Sequence, residues 1–284
     1  MKRIYYAPVP EIRCGDDLEH TWRYTVPVYR AAPHVWQVGG QDDVCAYLLD
    51  SGDGLILIDT GYRESLYLLV DRIWQSGHRP GDIRKILLSH WHWDHVNGCA
   101  GLAEMSGAEI WISEEDEKQH QKHKNDTEPM PMADYSVTNL YGKDEKIKLG
   151  RFTITVKPTP GHTPGAVSFF FEDRDDETGE KYNCAMHGGL GLNTMKPEAL
   201  EREGLPESLA YRFGEDCRKL AEQKVDIVLP SHLNQGNVLE NIPEDREDYR
   251  VWITDYAWKE IMLSRAEAIE KMYSSIGKLS EEAI

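Results

Sequence analysis

Six consecutive residues, His90-Trp91-His92-Trp93-Asp94-His95, place three imidazoles and one carboxylate directly after the apolar run Ile86-Leu87-Leu88-Ser89. With 11 histidines in 284 residues, the pattern H-x-H-x-D-H arises by chance in roughly one such sequence in a thousand. The flanking tryptophans draw the segment toward the interior, where polar groups need partners. A bound cation supplies partners for all four, so the segment reads as a metal site in the loop that follows a strand.

The 40% hydrophobic content is enough to bury a full core, as one large domain or two small ones. A net charge of -17 argues against nucleic acid and anionic membrane surfaces, which are bound through clustered Lys and Arg, and leaves a small molecule as the expected partner. Cys14, Cys45, Cys99, Cys184 and Cys217 are scattered with no CxxC pair, which favours free thiols in a reducing compartment. Met1-Lys2-Arg3 starts with positive charge, but Tyr5 to Cys14 carries prolines, Glu11 and Arg13 where an export signal needs an apolar stretch. Apolar runs such as Leu66 to Val70 are far too short to span a bilayer. The expectation is a cytoplasmic protein.

Apolar runs from Val44 to Leu49 and Leu55 to Ile58, separated by Asp50-Ser51-Gly52-Asp53-Gly54, predict a hairpin. A helix over Ser65 to Trp74 and a strand over Lys85 to Leu88 lead into the histidine cluster. Beyond it come a helix over Val96 to Met105, a strand over Glu109 to Ile112 and a charged helix over Glu114 to Lys124. His120 and His123 on that last helix have a spacing that suits either a metal or an ordinary solvated face. Asn125 to Tyr141 is long for a compact domain and reads as a loop over the site or as apolar residues packed on the body. Lys146 to Lys157 predicts a strand pair around Gly150, ending in Thr159-Pro160-Gly161-His162-Thr163-Pro164-Gly165, a tight turn with His162 at its tip. Strands over Val167 to Phe171, Cys184 to His187 and Val225 to Leu229 follow, with a helix over Pro206 to Gln223 before the last and Pro230-Ser231-His232 after it. From Tyr249 to about Ile276 apolar residues recur at three or four, an amphipathic helix for the body or for a second subunit. That divides the chain into residues 1–248 and a C-terminal extension, 249–284.

The order of Leu55-Ile56-Leu57-Ile58-Asp59-Thr60-Gly61, His90 to His95, Gly161-His162-Thr163-Pro164-Gly165 and Leu229-Pro230-Ser231-His232 resembles the metallo-β-lactamase superfamily over roughly Val35 to Asn237. The resemblance implies an α/β (α+β) fold, a four-layer αββα sandwich, here with an added C-terminal helix. It implies that His90, His92 and His162 hold one zinc and that Asp94, His95 and His232 hold a second, with Asp59 steadying the ligand loop. Hydrolases of this superfamily commonly carry a bridging aspartate where this chain has Ala185-Met186-His187-Gly188-Gly189-Leu190. The third subclass of class B β-lactamases also lacks a bridging residue, which places this chain nearest to it and leaves one or two zinc ions open. Gly188 and Gly189 either let backbone approach the metals or form a tight turn, and His187 is an extra imidazole beside them.

The implied chemistry is hydrolysis by a zinc-bound hydroxide, with Asp94 orienting the nucleophile and no covalent enzyme intermediate. Cys99 is read as core packing. The leading substrate class is a cyclic amide of the β-lactam type, with a cytoplasmic lactonase or esterase as the enzymatic rival and a non-catalytic metal-stabilised protein as the other. A nuclease of the same superfamily is disfavoured by charge. Asp42 to Val44, Asn125 to Tyr141 and Leu190 to Lys196 are the expected specificity loops. Gly189, Asn234 and Gln235 are candidate substrate contacts, the last two alternatively capping a turn. The C-terminal helix is also a candidate surface for a homo-oligomer.

Overall fold

The computed structural model of the chain describes residues 20, 23–127, 130–235 and 238–282, with side chains as far as 274. Cys14 and the Met1 to Cys14 segment read for an export signal lie outside the described residues, as does the side chain of Ile276. The first sheet has seven strands in chain order: β1 (Tyr29–Ala32), β2 (Val35–Gln37), β3 (Tyr47–Asp50), β4 (Leu55–Ile58), β5 (Ile83–Leu87), β6 (Glu109–Ile112) and β7 (Asn139–Leu140). β1 to β4 pair antiparallel and β4 to β7 parallel. Each parallel step needs a crossover, supplied by α1 (Leu66–Gln75), by the pair α2 (Trp93–Val96) and α3 (Cys99–Ser106), and by α4 (Glu114–His123).

The second sheet runs β12-β11-β10-β9-β8, from β8 (Lys146–Leu149), β9 (Phe152–Pro158), β10 (Val167–Arg174), β11 (Lys181–His187) and β12 (Ile227–Val228). Helices α5 (Pro197–Glu203), α6 (Ser208–Leu220), α7 (Val238–Asn241) and α8 (Ala257–Glu282) complete the chain. The unbroken apolar run of β4 follows from burial on both faces. Ile56 and Ile58 enter the core between the sheets with Phe152, Val156 and Phe169, while Leu55 and Leu57 pack with Leu69 and Ile73 of α1 and Leu102 of α3. The outer face of the second sheet is covered by α6 and α8, where the rings of Phe170 and Trp258 lie 5.5 Å apart. The layers are therefore αββα. No helix among the described residues is long and apolar enough to cross a membrane.

The expected hairpin forms, with Leu48 opposite Leu57. Two helices differ from expectation. The helix expected over Val96 to Met105 is two pieces, broken at Asn97-Gly98, because the chain there is pressed against Thr60. The Thr60 N–H and hydroxyl both donate to the His95 carbonyl, and a Cβ on Gly98 would collide with the Thr60 backbone. The C-terminal helix starts at Ala257 rather than Tyr249. Tyr249–Trp252 is one 3-10 turn, and Ile253 and Thr254 are pinned to β12 by a bridge to Ile227 and a 2.8 Å bond to the Asp226 carbonyl. α8 then packs on the body: the Trp258 indole N–H donates to Leu220 O, and the Tyr273 hydroxyl to Met195 O.

Candidate metal centre

Every candidate ligand sits just beyond a strand on the rim shared by the two sheets. Parallel strands end in a crevice of this kind, where ligands are commonly held. Asp59 follows β4, His90 to His95 follow β5, His162 lies in the β9–β10 turn, and His232 follows β12. The His232 loop is stitched to the first sheet, since Cys45 N–H donates to Ser231 O and Leu233 N–H to Asp43 O.

Asp59 stands at φ 57, a left-handed conformation that costs a non-glycine residue about 1 kcal/mol or more. Three hydrogen bonds hold it there: Ser89 N–H (2.8 Å), Ser89 Oγ–H (2.7 Å) and His95 Nδ1–H (2.8 Å) all donate to its carboxylate. Asp43 does the same for His232, whose Nδ1–H donates to Asp43 Oδ1 at 2.8 Å, while the Tyr62 hydroxyl donates to Asp43 Oδ2. The Gly191 carbonyl accepts from His162 Nδ1–H at 2.9 Å, and the Thr194 hydroxyl donates to His162 O at 2.7 Å.

A neutral imidazole whose Nδ1 donates has a lone pair on Nε2. The Nε2 atoms of His95 and His232 face each other at 3.2 Å, with Asp94 Oδ2 3.4 Å from the first and 3.6 Å from the second. In the adjoining cluster His92 Nδ1 and His162 Nε2 are 3.0 Å apart, and His90 Nε2 is buried with no hydrogen-bond partner. Donors about 2.0–2.1 Å from a tetrahedral ion lie about 3.3 Å from one another. Both clusters therefore have the spacing of a metal coordination shell. His90, His92 and His162 form one such set; Asp94 and His95 form another with His90, and Asp43, Asp94 and His232 a third. Asp43 is spent on His232 and Tyr62, so it stands behind His232 as Asp59 stands behind His95.

Burial and the neighbouring imidazoles hold His90 and His92 well below the ordinary histidine range, and burial lowers His162 to about 4. These three are neutral and ready to donate lone pairs. Burial acts the same way on His232, but the carboxylates of Asp43, Asp94 and Asp59 outweigh it and raise the imidazole to about 9. That spot attracts positive charge.

Several residues take roles the sequence did not suggest. Asp43 is 3% exposed and Val44 fully buried, so the Asp42 to Val44 segment supports His232 rather than facing a substrate. Asp116 is buried in α4 and accepts from Trp91 N–H (3.1 Å), Thr163 Oγ–H (2.6 Å) and Gly165 N–H (2.7 Å), tying the histidine cluster to the His162 turn. His120 is no solvated residue: it is buried and its ring stacks on Tyr135 at 4.2 Å. His123 stacks on Trp91 at 4.7 Å and bonds Asp126. Neither His120 nor His123 joins a metal-binding set among the described residues. Gln235 is taken up by its own turn, accepting from Ser231 N–H and bonding the Ser231 hydroxyl, while Asn234 is half-buried. Gly189 is buried and touches His162: a Cβ there would sit 2.6 Å from the His162 Cβ, so glycine lets this loop back the imidazole. His187 is buried, and its Nδ1 accepts from Gly189 N–H. Cys99 is fully buried, as core packing requires.

The Asn125 to Tyr141 segment combines both of its expected roles. Tyr135 is buried in the core, while Met130 and Met132 join Trp91, Trp93, Leu205 and Thr194 around a groove of ≈ 330 Å³ that reaches His92 and His162. Asn97 straps the segment down through Pro131 O and Ala133 N–H.

Burial raises the Asp116 carboxyl to about 7, against the pull of the Thr163, Gly165 and Trp91 donors. In an unfolded chain it titrates near 4. Between about pH 4 and 7 the folded protein therefore keeps a proton that the unfolded chain has released, and this stabilisation is lost as pH rises through about 7. Asp116→Asn is expected to remove a fall of up to about 1.4 kcal/mol per pH unit over that window. Urea unfolding of metal-free protein and variant across this range measures it, and the same slope in both would contradict it.

Residues 39–176 match the sequence profile of the metallo-beta-lactamase superfamily. This stretch is a metallo-beta-lactamase superfamily domain. In fold it is similar to a subclass B3 metallo-beta-lactamase of Bradyrhizobium japonicum, at a TM-score of 0.79 and 21% identity over 90% of this chain and 96% of that one. In sequence it is similar to a hydroxyacylglutathione hydrolase of Anaeromyxobacter dehalogenans, 33% identical over 48% of this chain and 44% of that enzyme. It is also similar to an atrochrysone carboxyl ACP thioesterase of Passalora fulva, 25% identical over 76% of this chain and 57% of that protein. The chain thus spans about half the length of these curated superfamily relatives. The superfamily's αββα fold accounts for the shared rim on which both donor clusters sit.

Proposed function

We infer that the protein is a zinc-dependent hydrolase whose substrate is a cyclic amide of the β-lactam type. The observation that carries the metal assignment is the pair of donor clusters whose ring nitrogens face one another about a coordination edge apart. His90, His92 and His162 would hold one zinc ion, and Asp94, His95 and His232 a second, with Asp59 and Asp43 fixing the tautomers of His95 and His232. When bound, zinc supplies a hydroxide near neutral pH and polarises the scissile carbonyl.

The chain's own residues do the rest. Asp94 Oδ2 faces the two imidazoles, which leaves Oδ1 to accept a hydrogen bond from the attacking water and orient it. Trp91, Trp93, Met130 and Met132 form an apolar wall beside His92 and His162 and shed water from the substrate. Residues 1–248 form the hydrolase domain in this reading and 249–284 its helical extension. A small molecule is the only partner it requires. The buried, unpaired Cys45, Cys99, Cys184 and Cys217 suit a reducing cytoplasm.

The subclass B3 likeness of the fold supports the lactam reading, and the thioester-cleaving names of the curated relatives support an ester or thioester as the second. Zinc-loaded protein assayed on penicillins, cephalosporins, carbapenems, lactones and thioesters separates them. Lactam turnover above the rest is expected. Thioester or lactone turnover far above every lactam would transfer the assignment to the second reading, and no hydrolysis at all would reject both.

A further inference from the structure

His123, at the end of α4, joins none of the donor sets among the described residues, yet it lines the groove beside His92 and His162. Its imidazole lies flat against Trp91, with 4.7 Å between ring centroids and 19° between planes. Nδ1–H donates to Asp126 Oδ2 at 2.7 Å, and Glu203 Oε2 is 3.3 Å from Nε2. A ring stacked on an indole, with a carboxylate at each nitrogen, is held both across its plane and within it.

The groove takes its lining from α4 and the segment after it, through residues such as His123 and Met132, and from α5 and its flanks, through residues such as Ala199 and Leu205. Among the described residues every hydrogen bond and ion pair between α4 and α5 runs through Glu203. Its carboxylate is 3.3 Å from His123 Nε2 and 3.4 Å from Lys122 Nζ, and its carbonyl accepts from the same lysine at 3.4 Å. The exposed lysine contact contributes little by itself. The contact with His123, whose side chain is only 15% exposed, fixes a residue of the lining.

Trp91, Trp93 and His123 give that lining three flat rings, and Met130 and Met132 give it sulfurs, which pack favourably at ring edges. Trp93 is itself held by stacking on Tyr62 at 5.2 Å. Away from the metal ligands, the charged and titratable lining is Asp126, Glu203, Arg202 and His123. Its net charge is not positive even with the imidazole protonated, and Arg202 Nε already lies 3.4 Å from Glu203 Oε1. An anionic group entering there meets no net counter-charge.

We propose that the groove is a slot for a planar, uncharged aryl group on the substrate, and that Glu203, acting through His123, is the positioning residue that keeps the slot narrow. The slot rests on the hydrolase reading, because the metal ligands His92 and His162 line the same groove. Aromatic rings stack or meet edge to face with centroids about 4.5–7 Å apart, a geometry closed to a puckered alkyl ring of the same size. At ≈ 330 Å³ the groove has the size of a small-molecule site.

A thiolate takes the open position of a catalytic zinc, so thiols that differ only in their tails report on the slot without any turnover. Calorimetric titration of the zinc-loaded protein with phenylmethanethiol, cyclohexylmethanethiol and 4-(mercaptomethyl)benzoate compares a flat, a puckered and an anionic tail. The phenyl tail is expected to bind about tenfold tighter than either of the others. Glu203→Ala is expected to lower the phenyl-over-cyclohexyl ratio about threefold, chiefly through tighter cyclohexyl binding, at unchanged zinc content. Glu203→Gln, which keeps the reach to His123, is expected to lower it less. A change in the ratio of two tails at constant zinc is not what a role in stability alone would produce. A phenyl tail bound no tighter than the cyclohexyl one, or the benzoate bound tightest, would overturn the slot, and a ratio that survives Glu203→Ala would overturn the role of Glu203. Zinc-loaded protein that binds none of the three thiols has no open coordination position, which would reject the hydrolase reading and the slot with it.

Discussion

Asp94→Ala is expected to lower kcat/KM for any substrate the protein hydrolyses by about a thousandfold and to reduce bound zinc from two ions per chain to one. Asp94 is the carboxylate that meets both His95 Nε2 and His232 Nε2. Without it, two imidazoles remain to hold an ion that prefers four donors. A metal ion stabilising transition-state charge contributes several kcal/mol, and each 1.4 kcal/mol or so corresponds to a factor of ten in rate. Asp94 is half-buried at the rim and packs little core, so the fold is expected to survive. Metal analysis together with steady-state kinetics measures both effects. A variant that keeps two zinc ions and its full rate would remove Asp94 from the centre.

Chelation is the second large effect. Stripping zinc is expected to lower the Tm by on the order of 10 °C, reversed by adding zinc back. Binding at a thousandfold excess over Kd contributes about 4 kcal/mol, and a protein of this size shifts by about 2–4 °C per kcal/mol. The physical source is the set of donor atoms gathered for an ion: the His95 and His232 Nε2 atoms 3.2 Å apart, and His90 Nε2 enclosed without a partner. Asp59→Asn should weaken zinc at the His95 side by about 10–100-fold through loss of the carboxylate that fixes the imidazole. Scanning calorimetry with and without a chelator decides the matter. A metal-free protein that melts with the loaded one would show that the clusters are satisfied without an ion.

The strands and the ligand loops were legible because their signals are local. Leu55 to Ile58 is apolar throughout, as two-sided burial demands, and β6 is found at the expected residues Glu109–Ile112. The start of α8 was misplaced for the opposite reason. Tyr249, Val251 and Trp252 continue the helical spacing, but Asp226 and Ile227, some two dozen positions earlier, claim the backbone of Ile253 and Thr254. His120 and His123 looked solvated because their neighbours are charged; Tyr135 and Trp91, distant in sequence, cover them. Asp116 and Arg265 carried no local sign of burial at all, since each is a charged residue in a stretch of charged residues.

The sequence by itself determined which donors are present and in what order: three imidazoles and a carboxylate in one loop, one histidine in a glycine-proline turn, one after a final strand. Those identities fix which donors a metal ion can meet, nitrogen and carboxylate oxygen rather than thiolate. What the tertiary structure decided is which nitrogen each histidine presents. His95, His162 and His232 turn Nε2 inward because Nδ1 is engaged by Asp59, Gly191 and Asp43, partners 36, 29 and 189 residues away. A hydrogen bond acts through space at about 3 Å whatever the length of chain between its ends, so the orientation of a ligand follows from the fold and not from the residues beside it.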